Sequence, residues 1–559
     1  MSYNPANPLI VQSDRTVLLE TDNDQFEEAR DELSKFAELV KSPQHIHTYR
    51  ITPLSLWNAA ALNYEPEEVK EQLKKYSKYA VPDNLKEDID DFMSRYGRIQ
   101  LVSEDGEHYL VSDDHSLLNE IATHDEVEEF IVEKVRSGVL KVDKSERGFI
   151  KHALIQVGYP VEDLAGYVEG EPLDIELRDV TKDGQEFSLR DYQHEAVDAF
   201  WAGGTERGGS GAIVLPCGAG KTIVALGAMA KAGAKTLILC TNVTALRQWR
   251  SEILDKTNLT NDQIGEYSGE TKEIKDVTLT TYQILTYRKD KEAEFEHFGL
   301  FNEQDWGLII YDEVHLLPAP VFRAVANLQS RRRLGLTATL VREDEKEDEV
   351  FSLIGPKKYD VPWRVLEKRG FIATAECVEK RVPFRDDELR LKYALADPRE
   401  KYKLAATNPA KLDIVENLLR DHRGDQILVI GQYLDQLDDI SERFDAPIIT
   451  GRTKQEDRDV LYKKFRTGEV PVLVVSKVAN FAVDLPDANV AIQVSGTFGS
   501  RQEEAQRLGR ILRPKDGEGN KAYFYSVVTR DSTEQEYSNK RQLFLTEQGY
   551  RYTIETIEA

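Results

Sequence analysis

The chain is predicted to be an α/β protein: two tandem lobes built on parallel sheets, preceded by a mainly helical segment and a small α/β segment. Three observations carry this. From about residue 185, short runs of Val, Ile and Leu alternate with helix-length stretches. Continuous apolar strands of this kind belong to parallel sheets covered on both faces. The runs come as two series, at 211–215, 236–240, 277–281, 307–311 and 334–337, then at 427–430, 447–450, 471–475, 490–494 and 522–527. Ahead of them, 25–40 and 67–79 place apolar residues three and four apart among charges, the spacing of one helix face.

The elements follow in order. Residues 24–96 read as helices, punctuated by Pro53, Pro66 and Pro82, with Pro66 at a position that a helix start tolerates. Residues 98–111 read as a hairpin turning at Glu104-Asp105-Gly106-Glu107. A small α/β segment follows from about 116, and Lys182-Asp183-Gly184 is a turn leading into the first lobe. The expected domains are 1–115 (mainly helical, accessory), 116–180 (small), 181–370 (first lobe) and 371–559 (second lobe).

Composition limits the function. A length of 559 residues suits about three or four domains. No apolar run approaches a membrane span, and the N-terminus lacks a basic stretch followed by an apolar one, so neither membrane nor secretion is expected. Cys217, Cys240 and Cys377 are isolated; they suit a reducing cytoplasm and give no zinc or iron–sulfur spacing. The net charge of −26 argues against diffuse nucleic-acid binding but allows a local basic groove. That charge fits a high-salt cytoplasm, and equally an ordinary solvated skin.

Chemistry is concentrated in LPCGAGKT, residues 215–222, between an apolar run and a helix-like stretch. A strand, a Gly-containing turn and a helix N-terminus aim backbone N–H groups and a positive dipole at an anion. Gly218 and Gly220 would shape the turn, Lys221 would reach the β/γ-phosphates and Thr222 would hold Mg²⁺. Leu215 stands where the strict motif has its first Gly; taken alone, the segment also reads as a plain Gly-rich turn. About ninety residues on, GLIIYDEVH at 307–315 delivers Asp312 and Glu313 at a strand end. Asp312 would hold the metal and Glu313 would orient and deprotonate the attacking water. Upstream, Gln193 of Leu189-Arg190-Asp191-Tyr192-Gln193 offers both a donor and an acceptor to an adenine edge, with Tyr192 or Arg190 against the ring. The alternative is a helix start capped by Asp191, with Gln193 in solvent.

In the second series, Gln506-Arg507-Leu508-Gly509-Arg510-Ile511-Leu512-Arg513 spaces arginines by three. Guanidiniums on one helix face repel unless an anion lies opposite, and a γ-phosphate is such an anion. Arg510 and Arg513, with Gln506, join Lys221 and Glu313 as catalytic candidates. A solvated, acid-paired face is the alternative. The run Arg331-Arg332-Arg333 stands open between phosphate contact and an exposed turn.

Together these motifs resemble superfamily 2 helicases and translocases. More narrowly they resemble the prokaryotic XPB-type (xeroderma pigmentosum group B) DNA repair helicases. DEVH at 312–315, Thr337-Ala338-Thr339-Leu340-Val341 running into Arg342-Glu343-Asp344, IGPKKY at 354–359 and GSRQEEAQRLGRILRPK at 499–515 carry the likeness. PLIVQSDRTVLLE and HTYRITPLSLWNAA extend it to the N-terminal part. The resemblance implies two RecA-like lobes closing on ATP and Mg²⁺, and 3′-to-5′ movement on single-stranded or forked DNA in repair of the nucleotide-excision type. It implies that Thr337 and Thr339 couple nucleotide state to closure, that Arg342, Glu343 and Asp344 meet DNA, and that Asp484 faces the ribose or the coupling network. It further implies a damage-recognition-like module before residue 180, a thumb-like helix near 387–403, and a monomer working with a repair nuclease. Ala479-Asn480 stand where the eukaryotic pattern has Gly-Asp. Rival readings are a double-strand translocase that opens DNA for a partner, an ATP-switched scaffold and an RNA helicase.

Overall fold

The computed structural model describes residues 3–43, 45–216, 218–287, 296–297, 299–300, 304–317, 321, 328, 331–338, 347–361, 366, 369, 374–476, 488–496, 521–547 and 551–558. Counts below refer to these residues. The chain divides into two compact units. One is Met1–Glu38, Thr48–Leu215 and Gly220–Val361; the other is Leu39–His47, Pro216–Ala219 and Pro362–Ala559.

The N-terminal part corrects the all-helical reading of 24–96. The first helix stops at Phe26–Leu33, and strands Glu38–Lys41 and Ile46–Arg50 follow. In 25–40, the helical spacing persists only to Leu33 and Ala37; beyond them Leu39 is buried between a half-buried Glu38 and an exposed Val40, a two-residue period. Helices Pro53–Ala61, Pro66–Tyr76 and Asp83–Arg95 form within this stretch, the second ending at Tyr76 where the apolar spacing led to residue 79. Thr52 caps the first, its hydroxyl accepting from the Ser55 N–H at 3.0 Å.

The hairpin pairs Gln100–Glu104 with Glu107–Val111. Its turn has positive φ at both Asp105 (51°) and Gly106 (77°), as two-residue hairpins of this twist require. The hairpin sits in a five-stranded sheet with Ile131–Arg136, Val139–Val142 and Glu162–Leu164, so this sheet spans the expected boundary at 115/116.

The first lobe carries a seven-stranded parallel sheet. Its order is Ile264–Tyr267, Val277–Thr281, Thr236–Cys240, Leu308–Asp312, Arg332–Thr337, Ser210–Val214, Lys357–Asp360. All five predicted strands are present. The two missed ones lie at the edges, where IGEY and KKYD carry polar residues that hide them from an apolar-run reading. The second lobe has its own seven-stranded parallel sheet. Its order is Ile448–Ile449, Val472–Ser476, Ile427–Gly431, Val490–Gln493, Lys521–Thr529, Thr374–Val382, Arg551–Thr556. Here too the missed strands, TAECVEKRV and RYTIET, are rich in charge. Near 387–403, helices Asp387–Leu395 and Pro398–Ala406 form, and the first buries none of its side chains.

The open question over Arg331 to Arg333 is settled for one of them. Arg333 is fully buried, its Nε donating to the Leu353 carbonyl at 2.8 Å and its Nη2 to Ser210 Oγ at 2.9 Å. Arg331 pairs with Asp305, and Arg332 lies 5.0 Å over the Trp201 ring. Arg333 is therefore a core strut, removed from any phosphate. Cys240 and Cys377 are both buried.

Candidate functional site

Three adjacent strands of the first sheet end together. Val214 is level with Thr337, and Asp312 with Leu336, so the phosphate-loop strand, the acidic strand and strand Arg332–Thr337, which ends at the first Thr of the Thr-Ala-Thr (TAT) triplet, deliver their C-terminal residues to one edge. Sites of doubly wound sheets form at this edge.

Beyond strand Ser210–Val214 come Leu215, Gly218 and Gly220, and helix Lys221–Ala232 then begins. Leu215 is buried, its N–H donating to the Thr337 carbonyl at 3.0 Å. Gly218 and Gly220 both have φ of +80°, which side-chain-bearing residues rarely adopt. At Gly220 space adds a second reason, since a Cβ would come within 2.6 Å of Gln193 Nε2. Lys221 and Thr222 then occupy the first turn, where helix N–H groups have no intrahelical partner.

Lys221 Nζ lies 3.5 Å from Glu313 Oε1 and donates to the Leu215 carbonyl at 3.5 Å. Glu313 has φ 49° and ψ 57°. A left-handed non-Gly residue costs on the order of 1–3 kcal/mol and persists where surrounding structure imposes it. The turn lets consecutive acids serve one site along different directions. Asp312 Oδ2 accepts from Trp249 Nε1 at 2.9 Å, while Glu313 faces Lys221 and lies 3.6 Å from His315 Nδ1. His315 Nδ1 is in turn 2.5 Å from Thr337 Oγ1. The acidic motif is thus tied through His315 to the TAT strand.

Upstream, Gln193 does not lie in solvent. It is 4% exposed, and its Oε1 accepts from the Arg190 N–H at 2.9 Å, capping helix Asp191–Trp201. The N-cap is Arg190, one residue before the expected Asp191. Gln193 Nε2 and Arg190 Nη1 each lie 3.4 Å from the Tyr192 hydroxyl.

The structure therefore brings Gln193 to Gly220, Lys221 to Glu313, and Thr337 through His315 to Glu313, with Asp312 on the same edge. Thr339, Arg342, Glu343, Asp344, Asp484, Gln506, Arg510 and Arg513 lie outside the described residues. Sequence reasoning passed over Trp249, Tyr282 and His315. The histidine was visible in DEVH; the two aromatics carried no signal, because their value lies in contacts thirty and sixty-three residues away in sequence.

Burial, and then the charge of Glu313, push the Asp312 carboxyl up from 3.8 to about 6; the Trp249 hydrogen bond and Lys221 oppose this. A raised carboxyl binds its proton more tightly folded than unfolded. Its contribution to stability is therefore present at acid pH and lost as pH rises through about 6. If Asp312 holds Mg²⁺ as its motif leads one to expect, proton and metal would compete for this oxygen pair, and Mg²⁺-dependent binding of a fluorescent ATP analogue should weaken as pH falls through about 6. In Glu313→Gln that midpoint should move to lower pH, because a neighbouring negative charge is gone. An unmoved midpoint would place the titration elsewhere.

Among the described residues, no cluster of three or more His, Cys, Asp or Glu could hold a metal by itself. The Asp312 carboxylate, at the strand edge where Glu313 meets Lys221 of the helix start, would instead suit Mg²⁺, which takes few protein ligands and shares the phosphates of a nucleotide.

Comparison with known proteins agrees along the whole length. Residues 366–559 match the family described as ERCC3/RAD25/XPB C-terminal helicase, and 186–342 match the type III restriction enzyme res subunit. Residues 9–136, at the N-terminal end, match a family described as helicase conserved C-terminal domain. The DNA 3′-5′ helicase XPB of Mycobacterium tuberculosis (strain ATCC 25618 / H37Rv) is 55% identical over 548 residues, covering 98% of this chain and 97% of that protein. The protein of the same name from Kineococcus radiotolerans is 54% identical over 98% of this chain and 96% of its own. The general transcription and DNA repair factor IIH helicase/translocase subunit XPB of Encephalitozoon cuniculi (strain GB-M1) is 35% identical over 99% of this chain and 83% of its own.

Proposed function

The chain belongs to the XPB helicase family, and on that premise we propose that it is an ATP-dependent DNA 3′-5′ helicase of DNA repair whose motor site is the edge just described. The observation that carries the site is the meeting of Lys221 with Glu313 beside Asp312, and of His315 with Thr337, where three parallel strands end.

Lys221 would set its ammonium on the β/γ-phosphates, which replace Glu313 as its anionic partner. Glu313, released, would accept the proton of the attacking water. Gly218, Gly220 and Thr222 would present backbone and hydroxyl groups to the phosphates, with Gln193 and Arg190 toward the base. Asp312 and Thr222 would hold Mg²⁺. When bound, the ion would supply electrostatic neutralisation of the charge that develops on transfer. Thr337, in contact with His315, would pass the state of the acidic motif to Thr339 and on to Arg342, Glu343 and Asp344 at the DNA. Arg510 and Arg513, with Gln506 and Asp484, would complete the site from the second lobe, each nucleotide cycle advancing the lobes along the strand.

The further elements of the proposal are a single-stranded or forked DNA substrate, a monomer, a repair nuclease as partner and a cytoplasmic setting. Among the described residues no helix is long and apolar enough to cross a membrane. The deciding experiment measures ATP turnover with single-stranded DNA, duplex DNA and RNA as stimulators, together with strand displacement on a forked duplex. DNA should stimulate and the fork should open 3′ to 5′, with Lys221→Ala silent in both. Stimulation by RNA alone would overturn the assignment.

DNA grip in a chain of charge −26 must come from locally clustered cations contacting phosphate. The DNA concentration for half-maximal stimulation is therefore expected to rise steeply with salt. For single strands log affinity falls by about 0.7 per log salt for each phosphate neutralised. A flat dependence would mean that phosphate contacts do not dominate.

A further inference from the structure

We propose that Trp249 is a positioning residue for the metal-binding carboxylate, holding Asp312 through its indole N–H. The proposal rests on the Mg²⁺–ATP reading of the site and deepens it.

Trp249 projects from helix Val243–Lys256, whose start is fixed by the Asn242 side chain accepting from the Ala245 N–H at 2.9 Å. The indole is 2% exposed, and its Nε1 donates to Asp312 Oδ2 at 2.9 Å. An indole nitrogen only donates, and an ionised carboxylate only accepts. A buried indole N–H needs some partner, and a backbone carbonyl would serve packing equally well. Here the partner is the side chain expected to meet the metal.

A second contact acts on the same residue. Tyr282, 4% exposed, begins the short helix Tyr282–Leu285, and its hydroxyl donates to the Asp312 backbone carbonyl at 2.9 Å. One donor holds the main chain and the other the carboxylate, from two separate helices. Together they set both the Cα position and the rotation of the carboxyl plane. The Trp249 bond engages Oδ2, so it fixes the direction of Oδ1. A carboxylate free to rotate would spread its oxygens over several orientations and bind an octahedral ion less well.

Trp249→Phe in the full chain keeps an aromatic ring and removes the donor. Outer partners of metal ligands commonly change metal affinity by about 10–100-fold. The Mg²⁺ concentration for half-maximal binding of a fluorescent ATP analogue is expected to rise by about that range, while the analogue's affinity in excess EDTA stays at the wild-type value. Loss confined to the Mg²⁺ arm is something that general damage to packing would not produce. 3-Benzothienyl-alanine placed at 249 gives the isosteric version, with sulfur in place of N–H; it carries the same expectation and decides the matter if Trp249→Phe does not fold. Wild-type Mg²⁺ dependence in a folded donor-less variant overturns the proposal and leaves the nucleotide site standing. A wild-type chain whose analogue binding ignores both Mg²⁺ and Lys221→Ala overturns the underlying site instead.

Discussion

Glu313→Gln is expected to lower ATP turnover by roughly 10²–10⁴-fold, the usual worth of a positioned general base, while nucleotide binding persists. The substitution keeps the shape of the side chain and removes its negative charge and basicity. Glu313 lies 3.5 Å from Lys221 and 3.6 Å from His315, so it contacts the expected phosphate ligand and the link to the TAT strand. A Gln here can still accept a hydrogen bond from either neighbour, but it cannot take a proton from water. Lys221 also loses a competing carboxylate, so its ammonium should favour phosphate at least as strongly as before. The expected phenotype is an enzyme that binds Mg²⁺–ATP and DNA normally and turns over very slowly. Lys221→Ala should differ by weakening nucleotide binding itself, since the phosphates would lose their cation and face the uncompensated charge of Glu313. Pre-steady-state hydrolysis and analogue binding, measured on both variants, separate the two. Turnover by Glu313→Gln within a few-fold of wild type would remove Glu313 from its role as base.

Much of this site was legible because its residues announce chemistry locally. A Gly-flanked Lys-Thr after an apolar run, and two acids at the end of another, follow from sequence order and periodicity alone. The parallel sheets were equally legible in their centres, where strands such as Thr236–Cys240 are entirely buried and read as unbroken apolar runs. Legibility failed where burial is one-sided or function depends on long-range contact. KKYD forms an edge strand whose side chains face water in part, so no apolar run marks it. Arg333 looked like one of three exposed arginines, but the backbone carbonyl of Leu353 and the hydroxyl of Ser210 allow the core to take it. Gln193 was legible as a polar residue near the loop, yet its first bond is to the Arg190 N–H of its own helix start. Trp249 and Tyr282 were silent, because nothing near them in sequence shows that both reach Asp312.

The largest effect expected on stability lies in the second lobe, away from the chemistry. Lys411 and Glu534 are each 1% exposed in their side chains and meet at 2.7 Å. Lys411 Nζ also donates to the Val494 carbonyl at 2.8 Å, and Glu534 Oε2 accepts from the Thr529 N–H at 2.9 Å. The pair joins helices Ala410–Asp421 and Thr533–Glu547 to residues just beyond strands Val490–Gln493 and within Lys521–Thr529. Lys411→Met keeps the length of the stem and strands Glu534 as a buried anion, which costs about 3–5 kcal/mol. The lobe should then open locally without the whole chain unfolding, so a single melting temperature is a poor reporter. Hydrogen exchange at strands Ile427–Gly431 and Val490–Gln493 reads it directly. A loss of that size corresponds to roughly 10²–10⁴-fold lower protection there, with first-lobe strands such as Leu308–Asp312 unchanged. Replacing both partners, as Lys411→Met with Glu534→Leu, should recover a large part of the loss, because an apolar pair leaves no unpaired charge behind. Strong non-additivity of this kind is the signature of direct coupling between contacting residues. If the double variant is instead as unstable as the sum of the singles, the two side chains act through separate packing and the ion pair contributes little of its own.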